Sequence, residues 1–384
     1  MEPSTHLLCH LCGQEHAAVT LKPGQKALCR RCDTLLAKGS HLGPDAPLAL
    51  AVTGLILAVP AMTLPFLGAS KLGDTRVSKL LTGVVALWHN DMQALSILVL
   101  LVGAVLPVAL LVTLIMLHAP DRFGSPVVGK VPLSRIAEFF RHWSIPEVQV
   151  LATLVALAKL GSLVHVTIGA GFWCYCGMTV AQLSAQYGFS FGAEDPADSD
   201  AEGVKAQLAE LHNSEVHFAA SHRRCTALGI TAAIMLVPAN LMPVLETETG
   251  GRTRVDTIYS GVIELVHQGL WPLAAIVFIA SIVIPILKLA GLTGLLVRAY
   301  RGPRSDSKTA TKIYAAINFI GRWSMLDVFL AALLLGLVRF GALATVIPHN
   351  GLIAFAAAVV LTVVATEMFD PRQLWKNPQS RSQP

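Results

Sequence analysis

Long apolar runs separated by polar connections dominate the sequence. An α-helix that crosses a bilayer needs about 20 consecutive, predominantly apolar residues. Runs close to that length cover 48–67, 94–117, 145–168, 226–245, 272–297, 325–346 and 350–369, and a more polar run covers 170–188. The pattern therefore predicts an all-α integral membrane protein with about eight spans.

Composition agrees with a membrane protein. Of the 384 residues, 54% are hydrophobic and only 14% are charged, whereas soluble domains contain about 25% charged residues. A polar, cysteine-rich segment precedes the first apolar run, so we expect no cleavable signal peptide. The formal net charge of +5 comes largely from the connections between spans. We therefore expect no nucleic-acid partner.

The distribution of Lys and Arg predicts the orientation. Connections 118–143 and 298–324 are rich in basic residues, whereas 68–93 and 246–271 contain few. The positive-inside rule places the basic connections in the cytoplasm, and with them both the N-terminus and the C-terminus. Connection 190–224 is an acidic exception, but acidic residues contribute little to this rule.

Two halves of the chain share an ordered set of motifs. "VPAMTLP" at 59–65 matches "VPANLMP" at 237–243, an offset of 178, and Trp143-Ser144 matches Trp323-Ser324 at an offset of 180. Because each unit would hold four spans, the two units should run parallel, with a site at their interface. The predicted segments are a ribbon at 1–40, a first unit at 48–190, an acidic linker at 191–225, a second unit at 226–370 and a cytoplasmic tail at 371–384.

Charged residues within spans are candidates for a transport site, because an ion in the hydrocarbon region is costly. Lys288 and Asp327 should lie at a similar depth, so we expect them to approach each other inside the second unit. Lys159 and Arg339 should lie toward the outer leaflet, where snorkelling to the surface is an alternative explanation. Glu147, like Asp327, follows a Trp-Ser pair and could instead mark a helix start near the cytoplasmic surface.

The two units differ at matched positions. Lys288 and Asn240 of the second unit correspond to Leu110 and Met62 of the first. We therefore expect the first unit to have the poorer polar interior and the second to carry any transport chemistry. The candidate transport residues are Asn240, Lys288, Asp327, Arg339, Glu147 and Lys159.

The N-terminal segment has the spacing of a metal-binding ribbon. Cys9-x-x-Cys12 and Cys29-x-x-Cys32 are separated by 16 residues, as in a ribbon in which two turns present four thiolates to one Zn²⁺. A closed four-thiolate site leaves no position for water, so one structural zinc ion is expected. Rubredoxin-type iron is an alternative, and disulfides are disfavoured in a reducing cytoplasm.

Taken together, these motifs resemble the paraquat-inducible protein A (PqiA/LetA) family of bacterial inner-membrane proteins. The resemblance extends over nearly the whole chain, through the cysteine ribbon, "VPANLMP" (237–243), "SIVIPILKLAGL" (281–292), "GRWSMLDVF" (321–329) and "MFDPRQLW" (368–375). Family members usually have a ribbon before each four-span unit. Here only Cys225 remains of the second one, in the acidic linker.

The resemblance implies a function in lipid transport. Family members work beside periplasmic proteins with mammalian-cell-entry (MCE) domains, which form tubes for lipids, so this chain would pass membrane lipids into or out of such a tube. No GxxxxGK[ST] phosphate-binding loop is present, and no enzymatic activity is expected. Two alternatives stay open: a zinc-headed scaffold or sensor that anchors a periplasmic partner, and a membrane redox protein. The second would need haem ligands or a quinone site, and because His165 is the one histidine placed clearly within a predicted span, paired axial histidines are absent from the predicted spans.

Overall fold

A computed structural model defines most of the chain. It describes residues 6–9, 11–17, 22, 24–38, 43, 45–71, 74–123, 130–160, 165–188, 214–249, 252–267, 269, 271–301, 307–321, 325–337 and 345–375. Within these ranges the protein is mostly helical. A small N-terminal head precedes two sets of helices, and each set includes a short β-sheet.

The head consists of two antiparallel hairpins. Strand β1 (His6–Leu8) pairs with β2 (Glu15–Ala17), and β3 (Lys26–Leu28) pairs with β4 (Leu35–Lys38). Each hairpin carries one cysteine pair at its turn. An isolated two-stranded hairpin is marginally stable in water, so the head needs something beyond its strands to hold it together.

The first half of the membrane region, residues 46–188, begins with an apolar helix and ends with a more polar one. Its helices are α1 (Ala46–Thr63), α2 (Thr82–His89), α3 (Gln93–Leu100), α4 (Leu106–Phe123), α5 (Lys130–Trp143), α6 (Pro146–Leu160) and α7 (Ala170–Gly188). Its strands are β5 (Leu67–Lys71), β6 (Asp74–Ser78) and β7 (His165–Ile168). Helices α1 and α7 pack along each other, and α4 and α5 form a hairpin.

The second half follows the same order of elements. Its helices are α8 (Ser214–Leu241), α9 (Ile258–His267), α10 (Trp271–Phe278), α11 (Ile284–Arg301), α12 (Ser307–Gly321), α13 (Leu326–Leu337) and α14 (Asn350–Met368). Its strands are β8 (Leu245–Thr249), β9 (Arg252–Asp256) and β10 (Thr345–Pro348), and a 3₁₀ turn, Pro371–Trp375, follows α14. Helix α14 packs along α8, and α11 and α12 form a hairpin. Helix α8 begins inside the predicted linker 191–225.

Five of the predicted spans are confirmed as long apolar helices. They are Ala46–Thr63, Gln93–Ala119, Ser221–Leu241, Ala274–Arg301 and Asn350–Met368. The runs at 145–168, 170–188 and 325–346 contain α6, α7 and α13, which are shorter or more polar. Whether these three cross the membrane stays a prediction, and so does the total of eight.

The fold is mostly helical, as expected, but it also contains short β-sheets that the all-α prediction did not include. Each half contains a three-stranded antiparallel sheet, with the order β6-β5-β7 in the first and β9-β8-β10 in the second. The runs at 145–168 and 325–346 therefore end in strands, and His165 lies in β7 outside any span. Val166, Thr167 and Val346 are β-branched residues that favour strands. These strands continue apolar runs, so the number of apolar residues alone does not distinguish them from the last turn of a helix.

Both long second spans contain the same irregularity. One turn of π-helix covers Leu101–Val105, where the Leu106 N–H donates to the Leu101 carbonyl, and another covers Ile279–Val283. Pro107 and Pro285 follow closely. Proline lacks an N–H, and in an α-helix its ring clashes with the carbonyl four residues earlier. In both spans the π-turn, which adds one residue to a helical turn, lies at the position of that carbonyl.

The halves meet through α13. This helix packs against α2 and α6 of the first half. Gly83 of α2 lies so close that a Cβ there would collide with the carbonyl group of Ala332 on α13. Helix α11 instead packs against α8, α12 and α14 of its own half. The helix that carries Asp327 and the helix that carries Lys288 thus have different principal neighbours.

Candidate metal centre and buried charged cluster

The hairpins of the head end in two equivalent turns. The Gly13 N–H donates to the Cys9 carbonyl at 2.8 Å, and the Asp33 N–H donates to the Cys29 carbonyl at 2.9 Å. Gly13 and Asp33 have positive φ angles of 70° and 61°, a conformation open to glycine and tolerated by aspartate. These turns direct both cysteine pairs toward a common centre.

The four cysteine sulfurs are close enough to share one ion. Sγ of Cys9 lies 3.5 Å from Sγ of Cys32, and Sγ of Cys12 lies 3.5 Å from Sγ of Cys29. All four sulfurs lie within 4.8 Å of one another and all four residues are buried. A disulfide would need about 2.05 Å, whereas tetrahedral Zn–S bonds of about 2.3 Å separate sulfurs by about 3.8 Å. The geometry fits a four-thiolate metal centre.

The electrostatics of the centre also favour a cation. Burial raises the pKa of the Cys9 thiol to about 11 and raises the pKa of Cys12 as well. Burial acts in the same direction on Cys29. Backbone N–H donors and the His16 ring, whose Nε2 lies 3.2 Å from Cys29 Sγ, outweigh it and lower the pKa to about 6. Four buried thiolates without a positive ion would repel one another, so a metal is what allows them to ionise together.

A second polar site lies where the two halves approach each other. Lys288 is 4% exposed and interacts electrostatically with Glu367. Nε2 of His142 lies 3.2 Å from Oε1 of Glu367 and 3.2 Å from Oδ1 of Asn318. A Cβ at Gly321 would come within 2.5 Å of Nζ of Lys288, so this glycine makes room for the ammonium group. We name His142, Lys288, Asn318 and Glu367 the Lys288 cluster.

Four helices supply this cluster. His142 comes from the end of α5 in the first half, whereas Lys288, Asn318 and Glu367 come from α11, α12 and α14 of the second. A buried ammonium group needs a counter-charge and hydrogen-bonding partners to offset its desolvation. Glu367 supplies the charge, and Nε2 of His142, at the end of α5, lies close to both that carboxylate and Asn318 of α12.

Comparison with known proteins decides the family. The family model described as "Paraquat-inducible protein A" matches residues 45–191 and again 222–379. The chain belongs to the PqiA family. Its two matched segments correspond closely to the two halves of the fold.

Several relatives of the PqiA family align over nearly the full chain. "Intermembrane transport protein PqiA" of Escherichia coli K12 is 30% identical over 410 residues, covering 98% of this chain and 97% of that protein. "Lipophilic envelope-spanning tunnel protein A" of the same strain is 25% identical, covering 96% and 90%. A "Probable intermembrane transport protein" of Haemophilus influenzae is 24% identical, covering 93% and 92%. No solved structure matches.

Two candidate transport residues of this PqiA-family chain have described side chains that lie outside the Lys288 cluster. Asn240 lies in the last turn of α8 and its Nδ2 donates to the Leu236 carbonyl at 2.8 Å. It therefore lies beside the start of α14, and Glu367 lies at the other end of α14, about 25 Å away. Asn240 is not part of the Lys288 cluster. Glu147 is half-buried and interacts electrostatically with Tyr175, so it faces the bundle and not bulk water.

Three other candidates have undescribed side chains. Asp327 lies in the first turn of α13 and Lys159 in the last turn of α6, but the described atoms do not include their side chains. Arg339 lies outside the described residues. The approach of Lys288 to Asp327 therefore stays a prediction.

The first half is not poor in buried polar groups, which corrects the sequence expectation. Ser144, Gln149 and Gln182 are all buried. Nε2 of Gln182 donates to Oγ of Ser144 at 2.6 Å, and the Tyr175 hydroxyl donates to the Gly103 carbonyl at 3.0 Å. These groups are neutral and carry no hydropathy signal comparable to that of Lys288. The halves differ in buried charge more than in polarity.

Sequence reasoning missed Glu367, His142 and Asn318. Glu367 had a usable signal, since it is an acid inside the apolar run 350–369, and ionisable residues in spans mark functional sites by default. His142 and Asn318 lie in amphipathic helices where polar residues are ordinary. Only the tertiary packing of α5 against α12 and α14 reveals them.

Proposed function

We propose that this protein is a component of the bacterial inner membrane that passes lipids between that membrane and a periplasmic conduit. The observation that carries the proposal is the alignment of nearly the entire chain with relatives named as intermembrane transport and envelope-spanning tunnel proteins. Those names describe transport and not catalysis, so we assign no enzymatic activity.

The proposed arrangement in the membrane has eight spans in two parallel four-span units. The five long apolar helices are joined by α6, α7 and α13, and both termini lie in the cytoplasm. Matching strand order, π-turns 178 residues apart and two family-model matches support a duplicated unit. On this topology both three-stranded sheets lie at the outer surface.

The partner that we propose is a periplasmic protein with MCE domains. Resemblance to the PqiA family implies such a partner, and the two sheets at the outer surface supply exposed strand edges for it. Valines on the edge strands, Val77 of β6 and Val255 of β9, are 62% and 53% exposed. An edge strand presents unpaired backbone N–H and C=O groups with which another chain can pair.

The metal that we propose for the four cysteines is Zn²⁺, as one structural ion. Replacing Cys9 and Cys12 by Ser should remove zinc from purified protein, as measured by elemental analysis. Cys225→Ser is the matched control, because Cys225 is a buried cysteine whose Sγ contacts the Ala365 carbonyl at 3.1 Å. Equal zinc in the double variant and in this control would contradict the site.

Within the membrane we assign the transport chemistry to the Lys288 cluster. A lysine that is 4% exposed, in a cluster to which His142 of the other half contributes, can change partners as the halves move. Asp327 and Arg339 of the second half, Glu147 and Lys159 of the first, and Asn240 at the outer end are proposed as further polar positions along the route.

A reconstituted assay tests the function. Liposomes that contain the protein and a fluorescent phospholipid are mixed with the purified soluble domain of an MCE partner, and lipid on that partner is quantified after separation. Transport predicts lipid on the partner above the level given by protein-free liposomes. A scaffold would bind the partner without transferring lipid, and that result would reject the proposal.

A further inference from the structure

We propose that the metal-bound head clamps the inner end of the second half and, through α12, holds the Lys288 cluster in position. The inference rests on the metal site proposed above but not on lipid transport. Although the head adjoins the first half in sequence, its observed contacts lie on α12 and on the 3₁₀ turn Pro371–Trp375 of the second half.

The first contact joins the second cysteine turn to the end of the described chain. The guanidinium carbon of Arg31 lies 4.7 Å from the ring centroid of Trp375, a distance typical of a cation–π interaction. Nη2 of Arg31 also donates to the Trp375 carbonyl at 3.4 Å. One side chain of the head therefore holds both the ring and the backbone of this residue.

The second contact joins the same turn to α12. Oδ2 of Asp33 lies 3.5 Å from Nζ of Lys308 and 3.9 Å from Nζ of Lys312. Arg31 and Asp33 flank Cys32, and Asp33 adopts the left-handed conformation that the turn imposes. Both docking side chains are therefore positioned by a ligand of the proposed metal.

The 3₁₀ turn is in turn fastened to α12. The Trp375 indole N–H donates to Oγ1 of Thr311 at 3.0 Å, and Oγ of Ser307 donates to the Leu374 carbonyl at 3.0 Å. The four cysteines, Leu374 and the buried face of α12 belong to one continuous apolar cluster. The head, the turn and the start of α12 thus form one packed unit.

Helix α12 reaches from this unit to the Lys288 cluster. Its 15 residues extend about 22 Å at 1.5 Å per residue. Lys308, Thr311 and Lys312 lie near the start, whereas Asn318 contacts His142 and Gly321 abuts Lys288 near the end. A single rigid helix therefore has the metal head at one end and the buried charge at the other.

Metal binding should decide whether the clamp forms. The head has two-stranded hairpins and little apolar area, and domains of this size usually need a metal or disulfides to fold. Without a metal, the second turn would lose the geometry that presents Arg31 and Asp33. The clamp would then release both α12 and the 3₁₀ turn.

Hydrogen–deuterium exchange on full-length protein in nanodiscs tests this coupling. One arm removes the metal with a chelator. A second arm uses Arg31→Gln, which removes the contact to Trp375 and leaves all four cysteines in place, with Arg30→Gln on the exposed neighbouring residue as its control. Elemental analysis should show that both variants keep the metal of the unmodified protein.

The expected result is faster amide exchange throughout 307–321, by about tenfold, after metal removal and in Arg31→Gln, with no change in Arg30→Gln. Unchanged exchange in 307–321 after metal removal would overturn the clamp. Faster exchange confined to 307–312 would overturn the link to the Lys288 cluster. Because the measurement does not depend on lipid transfer, either failure leaves the transport proposal untouched.

Discussion

The two halves of the membrane region follow one backbone plan but bury different chemistry. Strand order and π-turn position agree, yet Lys288 corresponds to Leu110 in the first half. The buried polar side chains of the first half, such as those of Gln149 and Gln182, are neutral. The comparison shows that one order of helices and strands accommodates a buried leucine or a buried lysine at a matched position.

The halves also differ in how tightly a neighbour approaches. A Cβ added at Gly83 of α2 would collide with the backbone of Ala332 on α13, whereas a Cβ added at Gly261, 178 positions later on α9, would meet nothing within 4 Å. Helix α13 therefore stabilises the first half by direct contact, and no described helix makes the corresponding contact on α9. The assembly is asymmetric even though its parts correspond.

The largest expected effect follows from removing the buried charge. Lys288→Met keeps much of the side-chain length but removes the positive charge that interacts with Glu367, which is then left without a compensating cation from α11. We expect lipid transfer in the reconstituted assay to fall at least about tenfold and the unfolding temperature to fall. Leu110→Met is the matched control and should change neither quantity.

A double variant separates stability from function. Lys288→Met combined with Glu367→Gln removes both charges, so the unfolding temperature should recover while lipid transfer stays low. Wild-type transfer by Lys288→Met at equal protein level would show that the charge difference between the halves has no role in transport.

The next effect concerns the contact between the halves. Gly83→Ala introduces a Cβ that collides with a backbone carbonyl, and such overpacking costs about 1–3 kcal/mol. Gly261→Ala meets nothing within 4 Å and should be neutral or slightly stabilising, because alanine favours helix more than glycine does. Thermal unfolding of both variants in one detergent measures the difference. Equal destabilisation would mean that α9 is also covered in the native protein.

A smaller effect is expected from the bond that joins the halves at the Lys288 cluster. His142 of the first half and Asn318 of the second are 3.2 Å apart, and a half-buried hydrogen bond contributes about 1 kcal/mol. A double-mutant cycle with His142→Ala and Asn318→Ala should give a coupling energy of about 0.5–1.5 kcal/mol. Strict additivity would show that the two side chains act independently.

Local features of the fold were predictable from the sequence, and features that depend on packing were not. The Cys9, Cys12, Cys29 and Cys32 spacing predicts the metal centre because each turn is specified by a few adjacent residues. Five of the spans are predictable because the bilayer requires their length. The sheets were missed because β7 and β10 continue apolar runs.

The partners of Lys288 show the limit of such reasoning. Depth along a helix predicts an approach to Asp327, whose side chain lies outside the described atoms, and it does not indicate Glu367, because depth does not specify which face of which helix is near. Glu367 lies 79 positions away from Lys288 in sequence, and its approach depends on how α14 packs on α11. His142 comes from the other half, so its contribution follows only from the way α5 meets α12 and α14.

The smallest expected effect lies at the ends of the two sheets. Nε2 of His349 lies 3.3 Å from Oε2 of Glu246, with side chains 35% and 22% exposed, where the first half has Gly169 and Gly68. A partly exposed ion pair contributes about 0.5 kcal/mol, so His349→Gln should lower the free energy of unfolding by no more than about 1 kcal/mol. The loss should be smaller at 1 M salt, because that ionic strength screens charges separated by more than about 3 Å. The first half does without the pair because a Cβ at Gly169 would collide with the Pro65 carbonyl. A loss of unfolding free energy well above 1 kcal/mol that persists in high salt would instead mean that His349 acts through close packing, as Gly169 does. The ends of the two sheets would then be stabilised by the same kind of contact.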